Sequence, residues 1–255
     1  LPGSIPMSLR EKLRDVVSIK EFGAIVNGTI DDSLAYVNAV NAASPERRTI
    51  YIPSGGLKIN NDIINTATNV SLLFEEGAYI DLSGGGSISH APGITALPDL
   101  AADITPLSNE ASFTSAHNLV AQEVFEVWNE NDYSQAPFRP EYHAGTILKV
   151  ASVVNSTTVI FEGTVTETYD KDDVSCHKIV GYGFSAINKL IVPPSSGIPF
   201  QVDGFTRTRL LNLGVMEGAA DTAYDVFRCH DVALRDSHNL AFLNDAYPVS
   251  FSNSR

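Results

Sequence analysis

Carboxylates and imidazoles recur through the last quarter of the sequence, at Asp203, Glu217, Asp221, Asp225, His230, Asp236, His238 and Asp245. Hydrolysis of a glycosidic bond would use two such carboxylates, about 5 Å apart for retention and further apart for inversion. A lyase reaction needs instead a base, such as Tyr, His, Lys or Arg, and a group that neutralises a substrate carboxylate. Glu217 and Asp221 bracket a Gly-Ala-Ala loop that can rise above a surface, and Asp236 follows further along. These three are the candidate catalytic residues. The competing reading is that acidic side chains at turns face water and do no chemistry. No metal or cofactor is expected, because the six histidines have no metal-ligand spacing and Gly84-Gly85-Gly86 lacks the Lys-Ser or Lys-Thr of a phosphate loop.

The elements that must position these side chains recur as well. Phe205 is followed by Arg209-Leu210-Leu211-Asn212-Leu213, and about 24 residues later Cys229 is followed by Val232 to Ser237. Val226 to Cys229 is echoed by Phe251 to Ser254, which puts Cys229 and Ser254 at equivalent inward positions. A period of this length predicts a solenoid whose coils stack to continue one core. Stacked strands lie about 4.8 Å apart, so carboxylates on neighbouring coils can reach a catalytic separation. Earlier β-rich runs at Gly56–Ile59, Val70–Phe74 and Ala78–Leu82 fit first coils.

Residues 110–183 differ in character. Gly145–Val150 and Thr157–Phe161 flank an Asn155-Ser156 turn, and Thr164–Tyr169 follows as a third β-rich run, which predicts a small antiparallel unit inserted between coils. Phe138, Tyr142 and Trp128 either stack on a sugar ring or pack the insertion onto the solenoid, and packing is the reading preferred. The chain then divides into a linker or stem helix (1–16), an opening stretch of solenoid with its cap (17–109), the insertion (110–183) and further coils (184–255). It stops at Arg255 in mid-coil, so a longer parent protein is expected.

Composition narrows the function. The 255 residues carry 30 acidic and 17 basic side chains, a net charge of −13, which would repel nucleic acid. No apolar run approaches the roughly 18 residues needed to span a bilayer, so membrane insertion is not expected. The two cysteines, Cys176 and Cys229, are read as buried thiols.

The N-terminus carries the most specific pattern. Ser8-Leu9-Arg10-Glu11 reads as a capping box, with Leu9, Leu13 and Val16 forming an apolar stripe. Val17 to Ala24 reads as a short strand ending at Gly23, and Asp31-Asp32-Ser33 caps a helix bearing Leu34, Val37, Ala39 and Val40. Thr49-Ile50-Tyr51-Ile52-Pro53 is a strand before a Ser54-Gly55-Gly56 turn. This order resembles the opening of the pectate-lyase-like superfamily as found in bacteriophage tailspikes, although the usual Gly-Asp-Gly is replaced by Val26-Asn27-Gly28. The resemblance implies an all-β right-handed parallel β-helix in which the helix covers the open end, so Asp31 and Asp32 cap rather than catalyse. It also implies a homotrimeric spike with Leu9, Leu13 and Val16 near the axis. Such a spike would join a phage tail or baseplate through a missing N-terminal part, assemble in the host cytoplasm and act at the cell surface. There it would depolymerise host-surface polysaccharide as a hydrolase or lyase. A non-catalytic glycan-binding adhesin and a purely structural spike segment are the alternatives.

Overall fold

Short strands that alternate inward and outward side chains build three parallel sheets. The computed structural model describes residues 15–129, 145–187, 190–192, 200–212, 214–215, 222–235, 238–239 and 247–252. The first sheet orders Val16–Ser18, Thr49–Ile52, Asn69–Phe74, Gly183–Ile187, Thr208–Leu211 and Val232–Arg235. The second stacks Gly55–Lys58, Ala78–Asp81, Leu190–Val192, Gly214–Val215 and His238–Asn239. The third stacks Ile63–Asn65, Ile88–His90, Phe200–Asp203, Thr222–Phe227 and Tyr247–Ser252. The chain visits the sheets in rotation, and Phe184, Thr208 and Val232 stand in register 24 residues apart, as the repeat predicted.

Register follows from the pleat. Ile50, Leu72, Ala186 and Leu210 align across four strands, all pointing inward and all fully buried. A slip of one residue would turn this row out to solvent. The third sheet carries Asn65, His90, Val202 and Val226 in the equivalent inward row. Each of its buried polar members has a hydrogen-bonding neighbour. Asn65 accepts from the Ala67 amide, and His90 Nε2 lies 2.8 Å from the Tyr36 hydroxyl.

Tyr36 belongs to α1, Ser33–Ala43, which covers one end of this core. The helix begins where expected, but its buried face is Tyr36, Ala39, Val40 and Ala43, while Leu34 is 73% exposed. The small residues let the helix sit close on the coil, and the one large side chain reaches in to His90. Asp31 accepts from the Ser33 amide, whereas Asp32 reaches back to the amides of Ile25 and Val26 and pins the incoming chain. Both aspartates are structural. The predicted strand over 17–24 ends at Ser18, because Ser18 and Glu21 form a capping box and turn Ile19–Phe22 into a 3-10 helix closed by left-handed Gly23. Val16 opens the first strand rather than ending a helical stripe, and Leu9, Leu13 and the Ser8–Glu11 box lie outside the described residues.

Between His90 and Gly183 the chain leaves the solenoid and forms an antiparallel sheet. Its order is Ile94–Ala96, Val174–Ile179, Val124–Asn129, Gly145–Asn155, Thr158–Phe161 and Glu110–Ser112. The sheet starts at Ile94, upstream of the expected 110, because its edge strand pairs with Val174–Ile179 rather than with a coil. The hairpin across Asn155-Ser156 is present. Thr164–Tyr169 is not a strand: among those residues the bridge is Ile104 to Tyr169. Phe125, Val127, Leu148, Val150 and Phe161 form a second core, separate from that of the solenoid.

Val124, Glu126 and Trp128 alternate with Phe125 and Val127, so they share the opposite face of the strand. There Trp128 meets Phe227 edge-on, with centroids 5.8 Å apart, which is the packing reading of that aromatic. Beside it Arg228 binds Asp203 through Nε at 2.8 Å and again through Nη2, and its Nη1 lies 4.0 Å from Glu126. His177, cross-strand from Glu126, places Nδ1 3.1 Å from the same carboxylate. A buried ionic cluster thus joins insertion to solenoid.

Candidate functional site

Outward side chains of the first sheet form a row across its strands: Thr49, Ser71, Ser185 and Arg209 in register. Ser71 lies 3.2 Å from Thr49 and accepts from Ser185 at 3.0 Å, so the row begins as a ladder of hydroxyls. Flanking it, a groove of about 540 Å³ is bordered by Arg47, Arg48, Tyr182, Arg207, Arg209 and Asp231. Tyr182 is fixed by its backbone: its amide donates to Thr68, and its carbonyl accepts from the Thr206 hydroxyl. Gly181 precedes it because an added Cβ would lie 2.4 Å from the Gly204 carbonyl oxygen, and only glycine lets successive corners stack this closely. The phenol ring remains 45% exposed, a flat face beside the groove.

A second cleft of about 680 Å³ shares Tyr182, Arg207 and Asp231 and extends to Lys149, Glu162 and His230, between insertion and solenoid. Most of its charges are paired. Arg209 donates to Asp231 at 2.7 Å and Lys149 to Glu162 at 2.7 Å, while Lys178 pairs with Glu123. The Arg209 hydrogen bond holds the Asp231 carboxyl below the usual range against the opposing effect of burial. The Lys149 bond does the same for Glu162. Both carboxylates are therefore ionised at neutral pH, suited to accept hydrogen bonds or stabilise positive charge rather than to protonate a leaving group.

The sequence candidates divide. Glu217, Asp221 and Asp236, together with Asp245, lie outside the described residues. Asp203 is spent in the buried cluster with Arg228, and His230 lines the second cleft. Phe138 and Tyr142 also lie outside the described residues. Sequence reasoning missed Arg47, Tyr182, Arg207, Arg209 and Asp231. The repeat did carry a signal for one of them: in the 24-residue register Arg209 stands between Ser185 and Ala233, a long cation in a row of small side chains.

No protein-family profile matches the sequence, and no curated protein matches it. Solved structures do. The tailspike gp61 of Pseudomonas phage phi297 superposes with a TM-score of 0.80 at 21% identity over 95% of this chain and 46% of its own. The tailspike gp49 of Pseudomonas phage LKA1 gives 0.68 at 23% identity, over 94% of this chain and 51% of its own. The gp54 tailspike of Acinetobacter baumannii bacteriophage AP22, solved with A. baumannii capsular saccharide, gives 0.57 at 16% identity, over 91% and 47%. This chain spans about half the length of each. Three parallel sheets visited in rotation, a helix over one end and an antiparallel excursion between coils give the chain the right-handed parallel β-helix fold of phage tailspikes.

Proposed function

We propose that this chain is the polysaccharide-binding part of a phage tailspike, and that its ligand lies in the groove along the first sheet. The observation that carries the reading is the groove around Tyr182: a half-exposed, backbone-locked ring that seats the guanidinium groups of Arg47 and Arg207 beside a ladder of hydroxyls, the mixture of apolar floor and polar donors that a sugar requires. The tailspike solved with capsular saccharide shares the fold and supports the choice of ligand. The complete protein is then a homotrimer on the phage tail or baseplate that engages polysaccharide at the host surface and cleaves it.

Cleavage, as hydrolase or lyase, is proposed for the complete protein with Glu217, Asp221 and Asp236 as its carboxylates. A non-catalytic glycan-binding role for this chain is the second reading, favoured by one observation: the cleft carboxylates Asp231 and Glu162 are both held ionised and offer no general acid. Titrating the chain with polysaccharide purified from the host, with Tyr182→Ala beside it, tests the binding. Loss of the ring that seats both guanidinium groups should weaken affinity about tenfold, on the order of the 1–2 kcal/mol of two cation–ring contacts. Equal affinity of the two proteins would move the ligand away from this groove. Glu217→Gln, Asp221→Asn and Asp236→Asn in the full-length spike test the cleavage: a roughly hundredfold loss of rate with folding intact assigns an acid–base role, and full activity in all three removes them from the mechanism.

A further inference from the structure

The groove is charged against the rest of the chain. The net charge is −13, yet Arg47, Arg48, Arg207 and Arg209 all border one concavity. Two are neutralised in place, Arg48 by Glu46 and Arg209 by Asp231. Arg47 and Arg207 form no ion pair among the described residues. Each guanidinium lies instead over the ring of Tyr182, 4.7 and 5.5 Å from its centroid. A ring face holds a cation at an exposed site without quenching its charge. Asp231 on the same groove is close enough for Arg207 to help hold it ionised, but the two guanidinium groups together exceed that one charge, which Arg209 also shares, so an added anion would relieve their repulsion.

The groove also has a direction: its lining comes from the first-sheet strands and the turns that precede them, from Arg47 to Asp231. Five neighbouring strands about 4.8 Å apart give it a length of about 19 Å along the solenoid axis.

We propose, resting on the reading of this groove as a glycan site, that the glycan is an acidic polysaccharide. It runs along the solenoid axis with one sugar carboxylate held between Arg47 and Arg207 above Tyr182. Guanidinium matches carboxylate with paired hydrogen bonds, and a charge-assisted bond contributes enough to separate an acidic sugar from its neutral counterpart by roughly ten- to a hundredfold.

The test is calorimetric titration of the whole chain with hexuronate oligosaccharides of four to six residues. The same oligosaccharides with each carboxyl reduced to the alcohol, and neutral oligosaccharides bearing phosphate, are titrated beside them. The expected result is binding of the acidic form at least about tenfold tighter than the reduced form, weakening as salt rises. Arg47→Ala and Arg207→Ala should each remove most of that preference, lowering affinity for the acidic form more than for the reduced form. Both side chains are exposed, so the variants should melt with the parent. Equal binding of acidic and reduced forms overturns this inference and leaves the glycan site standing. Tighter binding of the phosphorylated form overturns the carboxylate assignment, and binding of none of the three overturns both the inference and the site.

Discussion

Arg228 is the side chain whose loss should most weaken the joint between insertion and solenoid. It holds Asp203 through two hydrogen bonds and sits 4.0 Å from Glu126, and both carboxylates are buried, at 8% and 2% exposure. Arg228→Ala strips two buried carboxylates of the cation they share. Breaking a buried pair in this way costs about 3–5 kcal/mol, because the surviving charge stays desolvated without its partner. The lost contact of the guanidinium with the Phe227 ring, 4.7 Å away, adds to this. The joint carries its own reporter: Trp128 is the single tryptophan and its ring meets Phe227. Urea unfolding followed by tryptophan fluorescence should show a transition at lower denaturant than in the parent, before or together with the loss of β-structure. Adding Asp203→Asn and Glu126→Gln to Arg228→Ala should recover most of the loss, since amides leave no net charge to bury. Glu126→Gln alone should be mild, because Oε2 accepts no hydrogen bond among the described residues. A cost below about 1 kcal/mol for Arg228→Ala, the size of an exposed ion pair, would refute the account of the cluster as buried and mutually dependent.

Three further outcomes follow from local geometry. A Cβ on Gly56 would lie 2.5 Å from the Tyr79 ring, which covers both Gly28 and Gly56, so Gly56→Ala should lower the melting temperature by an overpacking cost of about 1–3 kcal/mol; an unchanged melting curve would mean the ring moves freely. Burial pushes the Cys176 thiol up to about 12 and that of Cys229 up to about 11. Neither should react with a thiol reagent at pH 8 until urea unfolds the chain, when both should be counted; native labelling within minutes would contradict their burial. The carboxyls of Asp31, Glu75 and Asp231 are held low by hydrogen bonds from Ser33, Ser54 and Arg209, while Asp81 is held low by Ser83 and Lys58 although burial opposes them. A depressed carboxyl stabilises the fold fully above its unfolded value, 3.8 for Asp and 4.5 for Glu, and ceases to do so as pH falls through the lower folded value. The melting temperature should therefore be steady from pH 7 to about 5 and fall below about 4; a decline beginning near pH 6 would point to histidine instead.

Much of the architecture was legible in the chain itself. Period-two alternation and a recurrence of 24 residues specify a stacked solenoid, because each coil must present the same apolar row to its neighbours. Asp31-Asp32-Ser33 marks the start of the covering helix, and Asn155-Ser156 the hairpin of the insertion, since both depend on hydrogen bonds within a few residues. The Ser18–Glu21 capping box was equally local and equally readable, although the β-rich run around it points to a strand. Which face of α1 is buried was not legible. The apolar pattern favours Leu34, but the coil beneath offers a place for Tyr36 opposite His90, 54 residues away.

The groove belongs wholly to the tertiary structure. Arg47 precedes the second strand of the first sheet, whereas Tyr182 stands at the close of the excursion that begins after His90, and Arg207 one coil beyond it. They meet because Asn69–Leu73 pairs in parallel with Gly183–Ile187, bringing Ser71 within 3.0 Å of Ser185 across 114 residues. No local propensity encodes that distance. It is set by the apolar rows that must continue from one coil to the next, and the intervening sheet can close on itself only if the chain returns in register. Residue types and spacing determined that the chain would stack. Which cations would stand together on the stacked surface was decided only when the coils closed over the insertion.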